Sequence, residues 1–230
     1  MLKRKRLNVM AILEARNVSK IYRSEGESVT ALAGVSLAVQ PGEVVALVGR
    51  SGCGKSTLLN LSGAMDFPSS GEILIGGQST SLVDDASLTR LRRQKIGFIF
   101  QSFQLLHTLT AIENVELPLL LADRSNARQT AAERLRWVEM EGFAGRFPHQ
   151  LSGGQQQRIA IARALANAPL LVLADEPTGN LDTITGELIL NLLRRLATEL
   201  SVAVVMATHS AESTAMVDRV INMRDGRLEA

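Results

Sequence analysis

The stretch that most constrains this chain is "GRSGCGKST", Gly49–Thr57, taken with what flanks it. The apolar run "VVALV" leads into it, and the apolar-periodic "KSTLLNLSGAM" leads out. A buried strand that stops at a glycine-rich loop and resumes as a helix is the start of a βα unit in a parallel sheet. The chemistry of the loop follows from its residue types. Gly49, Gly52 and Gly54 let the backbone turn its N–H groups inward around phosphate oxygens, with Arg50, Ser51 and Cys53 between them. Lys55 reaches toward β- and γ-phosphates, the Ser56 hydroxyl is offered to Mg²⁺, and Thr57 stands beside it at the helix start, where the dipole favours an anion. Cys53 reads as a small side chain in a tight loop, so alkylation there is expected to block ligand entry by bulk.

Two further strand ends converge on the same edge. "LLVLADEP" and "VAVVMATH" are apolar on both faces and flanked by helical patterns, as strands of a parallel sheet are. The first ends in Asp175 and Glu176, and period-two alternation turns these two carboxylates to different tasks. Asp175 suits a Mg²⁺ shell shared with Ser56, and Glu176 is free to orient and deprotonate a water. His209 stands at the carboxyl end of the second strand, where its ring N–H can read a γ-phosphate. Gln101 ends "KIGFIFQ" and can touch Mg²⁺ or the attacking water. Tyr22, following the first strand, is either an adenine platform or an ordinary edge aromatic.

Around this edge the chain alternates between patterns. "ILEARNVSKIY" and "ALAGVSLAVQ", separated by the polar "RSEGESVT", read as antiparallel edge strands. "GEILIGG" and "KIGFIFQ" are short strands around the charged "SLTRLRRQ". From residue 102 to about 165 the period becomes helical, which predicts a helical lobe inserted into an α/β core. The end, "RVINMRDGRLEA", reads as strand, turn, strand. At 230 residues with 46% apolar content, the chain suits one large domain over residues 12–230, preceded by a basic tail at 1–11. Met10 is an alternative start. The longest apolar runs are strand-sized rather than membrane-spanning. A formal charge of +2, one Tyr and one Trp give little to hold nucleic acid. The single cysteine excludes an internal disulfide and fits a reducing compartment.

"HQLSGGQQQRIAIARAL" is a second glycine-rich helix start. Ser152, Gly153, Gly154 and Gln155 offer backbone N–H groups and a hydroxyl to another anion. One triphosphate does not need two cradles from one chain. A two-fold dimer in which each chain closes over the nucleotide of the other uses both.

The ordered set "GRSGCGKST", Gln101, "LSGGQQQR", "LLVLADEP", "GNLD" and His209 resembles the nucleotide-binding subunit of ABC transporters, from about Ile12 to the end. The resemblance implies an ABC-type P-loop NTPase fold: a mostly parallel core sheet, an antiparallel β edge subdomain and an inserted helical lobe. It implies ATP and Mg²⁺ as ligands, a head-to-tail ATP sandwich, and a separate integral membrane permease as partner at the cytoplasmic face of the inner membrane. It assigns Tyr22 to adenine stacking, Lys55, Ser56 and Thr57 to phosphate and Mg²⁺, Asp175 to Mg²⁺, Glu176 to the general base, and His209 to the switch position. Gln101 goes to the coupling loop, Ser152 and Gly154 to the opposite γ-phosphate, and Asp182 to the cross-dimer loop. "IGFIFQSFQLLHTLTAIENVELPL" and Gly179–Asn180 before Leu-Asp are most similar to the branch serving lipoprotein release, macrolide-type efflux and cell-division complexes, where a periplasmic adaptor is a further partner. Ser210 departs from the acidic residue or Asn common after the histidine. A soluble ABC ATPase acting on nucleic acid or ribosomes is the alternative, against which stands the lack of a long coiled-coil insertion.

Overall fold

The computed structural model describes residues 10–24, 27–81, 83–209 and 214–229; the basic segment and Ser210 lie outside them. In chain order the strands are β1 (Leu13–Ser24), β2 (Glu27–Val39), β3 (Val44–Val48), β4 (Ser70–Ile75), β5 (Gln78–Ser79), β6 (Ile96–Phe100), β7 (Leu171–Asp175), β8 (Ala203–Thr208), β9 (Arg219–Arg224) and β10 (Arg227–Leu228). The helices are α1 (Lys55–Ser62), α2 (Asp85–Lys95), α3 (Ala111–Leu120), α4 (Ala127–Trp137), α5 (Gly153–Ala164) and α6 (Thr183–Leu200).

The strands form a six-stranded sheet in the order β10-β9-β3-β8-β7-β6 and a four-stranded sheet in the order β2-β1-β4-β5. In the larger sheet β9, β3, β8, β7 and β6 run parallel, and only β10 is antiparallel, to β9. The smaller sheet is antiparallel throughout. The parallel strands are apolar on both sides because both sides are covered. Val44, Ala46, Val172, Ala174, Val204 and Met206 enter one core with α5, α6 and the helical segment. The alternate residues Val45, Leu47, Leu171, Leu173, Val205 and Ala207 enter a second core with α1 and the antiparallel sheet.

Three local features differ from the sequence expectation. The polar "RSEGESVT" is mostly strand rather than connection: β1 and β2 pair out to Ser24 opposite Glu27, so Tyr22 lies in β1, opposite Val29. The charged segment before β6 is the helix α2. Its start is set by the Asp84 carboxylate accepting the Ser87 N–H at 2.7 Å, and it buries Leu88 and Leu91, one turn apart. Residues 102–165 hold α3, α4, α5 and single turns at Glu141–Phe143 and Pro148–Gln150, but α4 stops at Trp137. The following Val138 and Met140 turn inward, 0% and 2% exposed, rather than continuing its helical face.

Candidate active site

The phosphate loop joins β3 to α1. Gly54 caps α1 with φ at 106°, and a Cβ there would meet the Ala31 carbonyl oxygen at 2.6 Å. Glycine is thus required both by the left-handed turn and by the closeness of β2. The C-terminal hairpin braces the loop from outside. Gly226 N–H donates to the Cys53 carbonyl at 3.0 Å, and the Gly226 carbonyl accepts from Ala33 N–H at 2.8 Å. A cavity of about 430 Å³ opens over the loop, walled by Val29, Thr30 and Ala31 of β2 and closed by Asp175, Glu176 and His209.

Lys55 is 8% exposed, and its ammonium donates to the Gly49 carbonyl at 2.6 Å and the Arg50 carbonyl at 3.1 Å. Those carbonyls are therefore held beneath the loop, and a phosphate must compete with them for the ammonium. Cys53, 7% exposed, packs in the second core with its Sγ 3.9 Å from Lys55 Nζ. The side chain is turned mostly inward, and what it shows borders a cleft between the loop and β9. Arg50, Ser51 and Gly52 are exposed.

Asp175 ends β7 and accepts the Ser56 hydroxyl at 3.3 Å across a sequence separation of 119 residues. Burial holds its carboxyl above the usual aspartate range, and the neighbouring Glu176 charge adds to this, against the Ser56 bond and Lys55. A half-buried carboxylate beside a hydroxyl is an all-oxygen donor set, which fits Mg²⁺. Among the described residues no cluster of three or more His, Cys, Asp or Glu side chains is arranged to hold a metal, so the ion's remaining ligands would be phosphate oxygens and water.

Glu176 is where the alternation argument fails. The strand ends at Asp175, and Glu176 takes a left-handed backbone, φ 47°, while its N–H still donates to the Ala207 carbonyl at 2.9 Å. The two carboxylates diverge because the chain turns, not because a strand continues. Its Oε1 lies 3.0 Å from His209 Nδ1. With Nδ1 turned to this carboxylate, Nε2 is the ring nitrogen left to face a phosphate.

Gln101 does not line the cavity. Its amide donates to Asn180 Oδ1 at 3.3 Å, and Asn180 Nδ2 donates back to the Gln101 carbonyl at 3.1 Å. In place of an approach to Mg²⁺ or water, Gln101 clasps the loop after β7. Asn180 is a partner that sequence reasoning missed. So is Gln157, fully buried on α5, whose amide donates to the Pro177 carbonyl at 2.6 Å and ties α5 to the turn after Glu176. Its signal was only its place five residues beyond the helix cap.

The second glycine-rich start is a capping box. Ser152 Oγ accepts the Gln155 N–H at 3.3 Å, and Gln155 Oε1 accepts the Ser152 N–H at 2.9 Å. The capping bond uses only a lone pair of the Ser152 oxygen, so its O–H can still donate to an anion, and the N–H groups of Gly153 and Gly154 have no intrahelical acceptor. None of residues 152–155 lines the phosphate-loop cavity. Asp182 caps α6, accepting from Thr185 N at 2.9 Å and Thr185 Oγ1 at 2.6 Å. Tyr22 is 43% exposed, its hydroxyl donating to Asp66 Oδ2 at 2.9 Å.

Residues 32–179 match the family model described as ABC transporter. The dimeric, post-hydrolysis structure of the ATP-binding cassette MJ0796 from Methanocaldococcus jannaschii, bound to ADP and Pi, is 46% identical with a TM-score of 0.86, covering 95% of this chain and 97% of that one. The lipoprotein-releasing system ATP-binding protein LolD of Hyphomonas neptunium is 43% identical, covering 94% of this chain and 96% of the relative. The macrolide export ATP-binding/permease protein MacB of Rhodopirellula baltica is 44% identical over 94% of this chain, which spans 32% of that longer protein. Family match, identity over nearly the whole chain and shared fold together show that the chain belongs to the ABC transporter family as an ATP-binding, ATP-hydrolysing subunit.

Proposed function

We propose that this subunit works as a homodimer around two ATP–Mg²⁺, driving a separate membrane permease from the cytoplasmic face in export or mechanical work on lipid-anchored or extruded substrates. The observation that carries it is the separation of the two anion cradles. The α5 start takes no part in walling its own chain's phosphate cavity, so its free Gly153 and Gly154 N–H groups suit a γ-phosphate held by a second copy. The dimeric cassette among the relatives supports the same arrangement. Lys55 and the loop amides bind phosphate, Ser56 and Asp175 hold Mg²⁺, and Tyr22 supports adenine. Glu176 takes the proton of the attacking water while His209 holds its carboxylate in place. Bound Mg²⁺ supplies neutralisation of charge on the β- and γ-phosphate oxygens. Gln101 and Asn180 link the β6 end to the loop preceding α6, a path by which the γ-phosphate state reaches the helical segment.

A permease is supported by a groove of about 600 Å³ between α2, β6 and α3, whose walls include Phe98, Phe100, Leu117 and Leu121 beside Arg92 and Arg163. Leu121, one of its lining residues, is 59% exposed. No helix among the described residues is long and apolar enough to cross a membrane. LolD and MacB are relatives with lipoprotein-releasing and macrolide-export names, which favours that branch of substrates. The test is light scattering of the Glu176→Gln chain with ATP and Mg²⁺. The mass doubles on nucleotide addition, and Ser152→Arg in the same background prevents it. A monomer at saturating ATP refutes the sandwich.

A further inference from the structure

We propose that Asp66 is a positioning residue for nucleotide binding: braced by Lys20, it holds the Tyr22 ring at the mouth of the phosphate cavity, ready to receive adenine. This rests on the reading of Tyr22 as the base platform.

Tyr22 lies in β1 directly opposite Val29, which walls the cavity. An exposed tyrosine on a hairpin arm ordinarily samples several rotamers, but this one is tethered at its far end. Its hydroxyl donates to Asp66 Oδ2 at 2.9 Å, and the Thr57 side chain, inside the phosphate-loop motif, acts on the same phenol in the opposite, pKa-lowering direction. Asp66 belongs to the turn beyond α1. Its Oδ1 accepts from Lys20 Nζ at 2.6 Å and from the Phe67 N–H at 2.7 Å, and the same ammonium donates to the Phe67 carbonyl at 2.7 Å. Lys20 Nζ also lies 4.9 Å from the Tyr22 ring centroid. The carboxylate is therefore fixed from one side by a charge-assisted bond and fixes the phenol from the other.

The electrostatics agree with this geometry. Partial burial opposes ionisation of Asp66, but the bonds from Lys20, Phe67 and Tyr22 hold its carboxyl below the usual range. Burial pushes the Tyr22 phenol up, and the Asp66 carboxylate pushes it further. A ring ordered before the base arrives loses less freedom on binding, an advantage of about 2–10-fold in affinity.

The test compares ATP with inorganic triphosphate binding to the full chain. Tyr22→Ala examines the platform itself, weakening ATP but not triphosphate. Asp66→Asn and Tyr22→Phe examine the tether, and each weakens ATP by about 2–10-fold with triphosphate affinity held within about two-fold. Tyr22 is the only tyrosine, so the phenolate absorbance titration reports it alone, and Asp66→Asn moves that titration to lower pH. If Asp66→Asn does not fold, Tyr22→Phe, which keeps the ring and removes only the hydroxyl, carries the test. Loss of ATP affinity in Tyr22→Ala with none in Tyr22→Phe or Asp66→Asn overturns the positioning role and leaves the platform standing. Unchanged ATP affinity in Tyr22→Ala overturns the platform, and the proposal with it.

Discussion

Gly154→Ala sets two opposing terms against each other at the second anion cradle. Gly154 occupies the second position of α5, where alanine is favoured over glycine by up to about 1 kcal/mol of helix propensity. A Cβ at this position would, however, stand 2.5 Å from Thr185 Cγ2. Thr185 cannot swing aside freely, because its N–H and hydroxyl are both held by Asp182 at the α6 cap, at 2.9 and 2.6 Å. Overpacking of this kind costs about 1–3 kcal/mol, so the steric term wins. With the full propensity gain set against it, the net loss is about 0–2 kcal/mol, and a chain of this size loses about 2–4 °C in Tm per kcal/mol. Thr185→Ser deletes the offending methyl and keeps the hydroxyl that the cap uses. In that background Gly154→Ala meets no clash and becomes neutral or stabilising. Thermal denaturation of the four chains closes the cycle. An equal drop in Tm in both backgrounds refutes the steric account, and a rise in the native background refutes the ranking of the two terms.

Glu176→Gln slows ATP turnover by about 10²–10⁴-fold while preserving ATP binding, read by phosphate release and nucleotide titration; near-normal turnover moves the general base elsewhere. Asp175, raised by burial, contributes stability below its unfolded value that is lost as pH rises through the folded value. Asp175→Asn therefore raises the ligand-free Tm at neutral pH while weakening Mg²⁺-dependent ATP affinity, and a lower Tm contradicts the desolvation argument. Asp218 has the opposite sign: its bond from Arg194 at 2.7 Å holds the carboxyl below the ordinary 3.8. Its stabilisation is present above 3.8 and lost as pH falls through the lower folded value, so Asp218→Asn flattens that limb of a Tm-against-pH curve.

Strand and helix order was legible wherever residues repeat at one period and punctuation is local. β3, β7 and β8 announced themselves as apolar runs, and α5 as an apolar-periodic segment behind Ser152 and its two glycines, whereas the cap that Asp182 makes on α6 emerged only in the structure. α2 was missed because only Leu88 and Leu91 of its apolar face are buried, in a segment otherwise charged. The extent of β1 and β2 was missed because a solvated hairpin end needs no apolar pattern: Tyr22 and Val29 are 43% and 61% exposed. That error hid the Tyr22–Asp66 contact, which joins a strand to a turn 44 residues on.

By itself the sequence determined the βα phosphate loop, the buried parallel strands, the second capped glycine-rich helix and the identity of the acids at the sheet's carboxyl edge. These depend on φ/ψ preference, side-chain period and capping, all set within a few residues. The tertiary structure alone decided where the polar side chains point. Glu176 turns out of the strand while its N–H keeps the ladder bond to Ala207, Gln101 faces Asn180 across 79 residues, and Lys55 folds under its own loop. A side chain's direction at a strand end follows from the backbone torsions there and from long-range hydrogen-bond partners, and neither leaves a mark on the neighbouring residues.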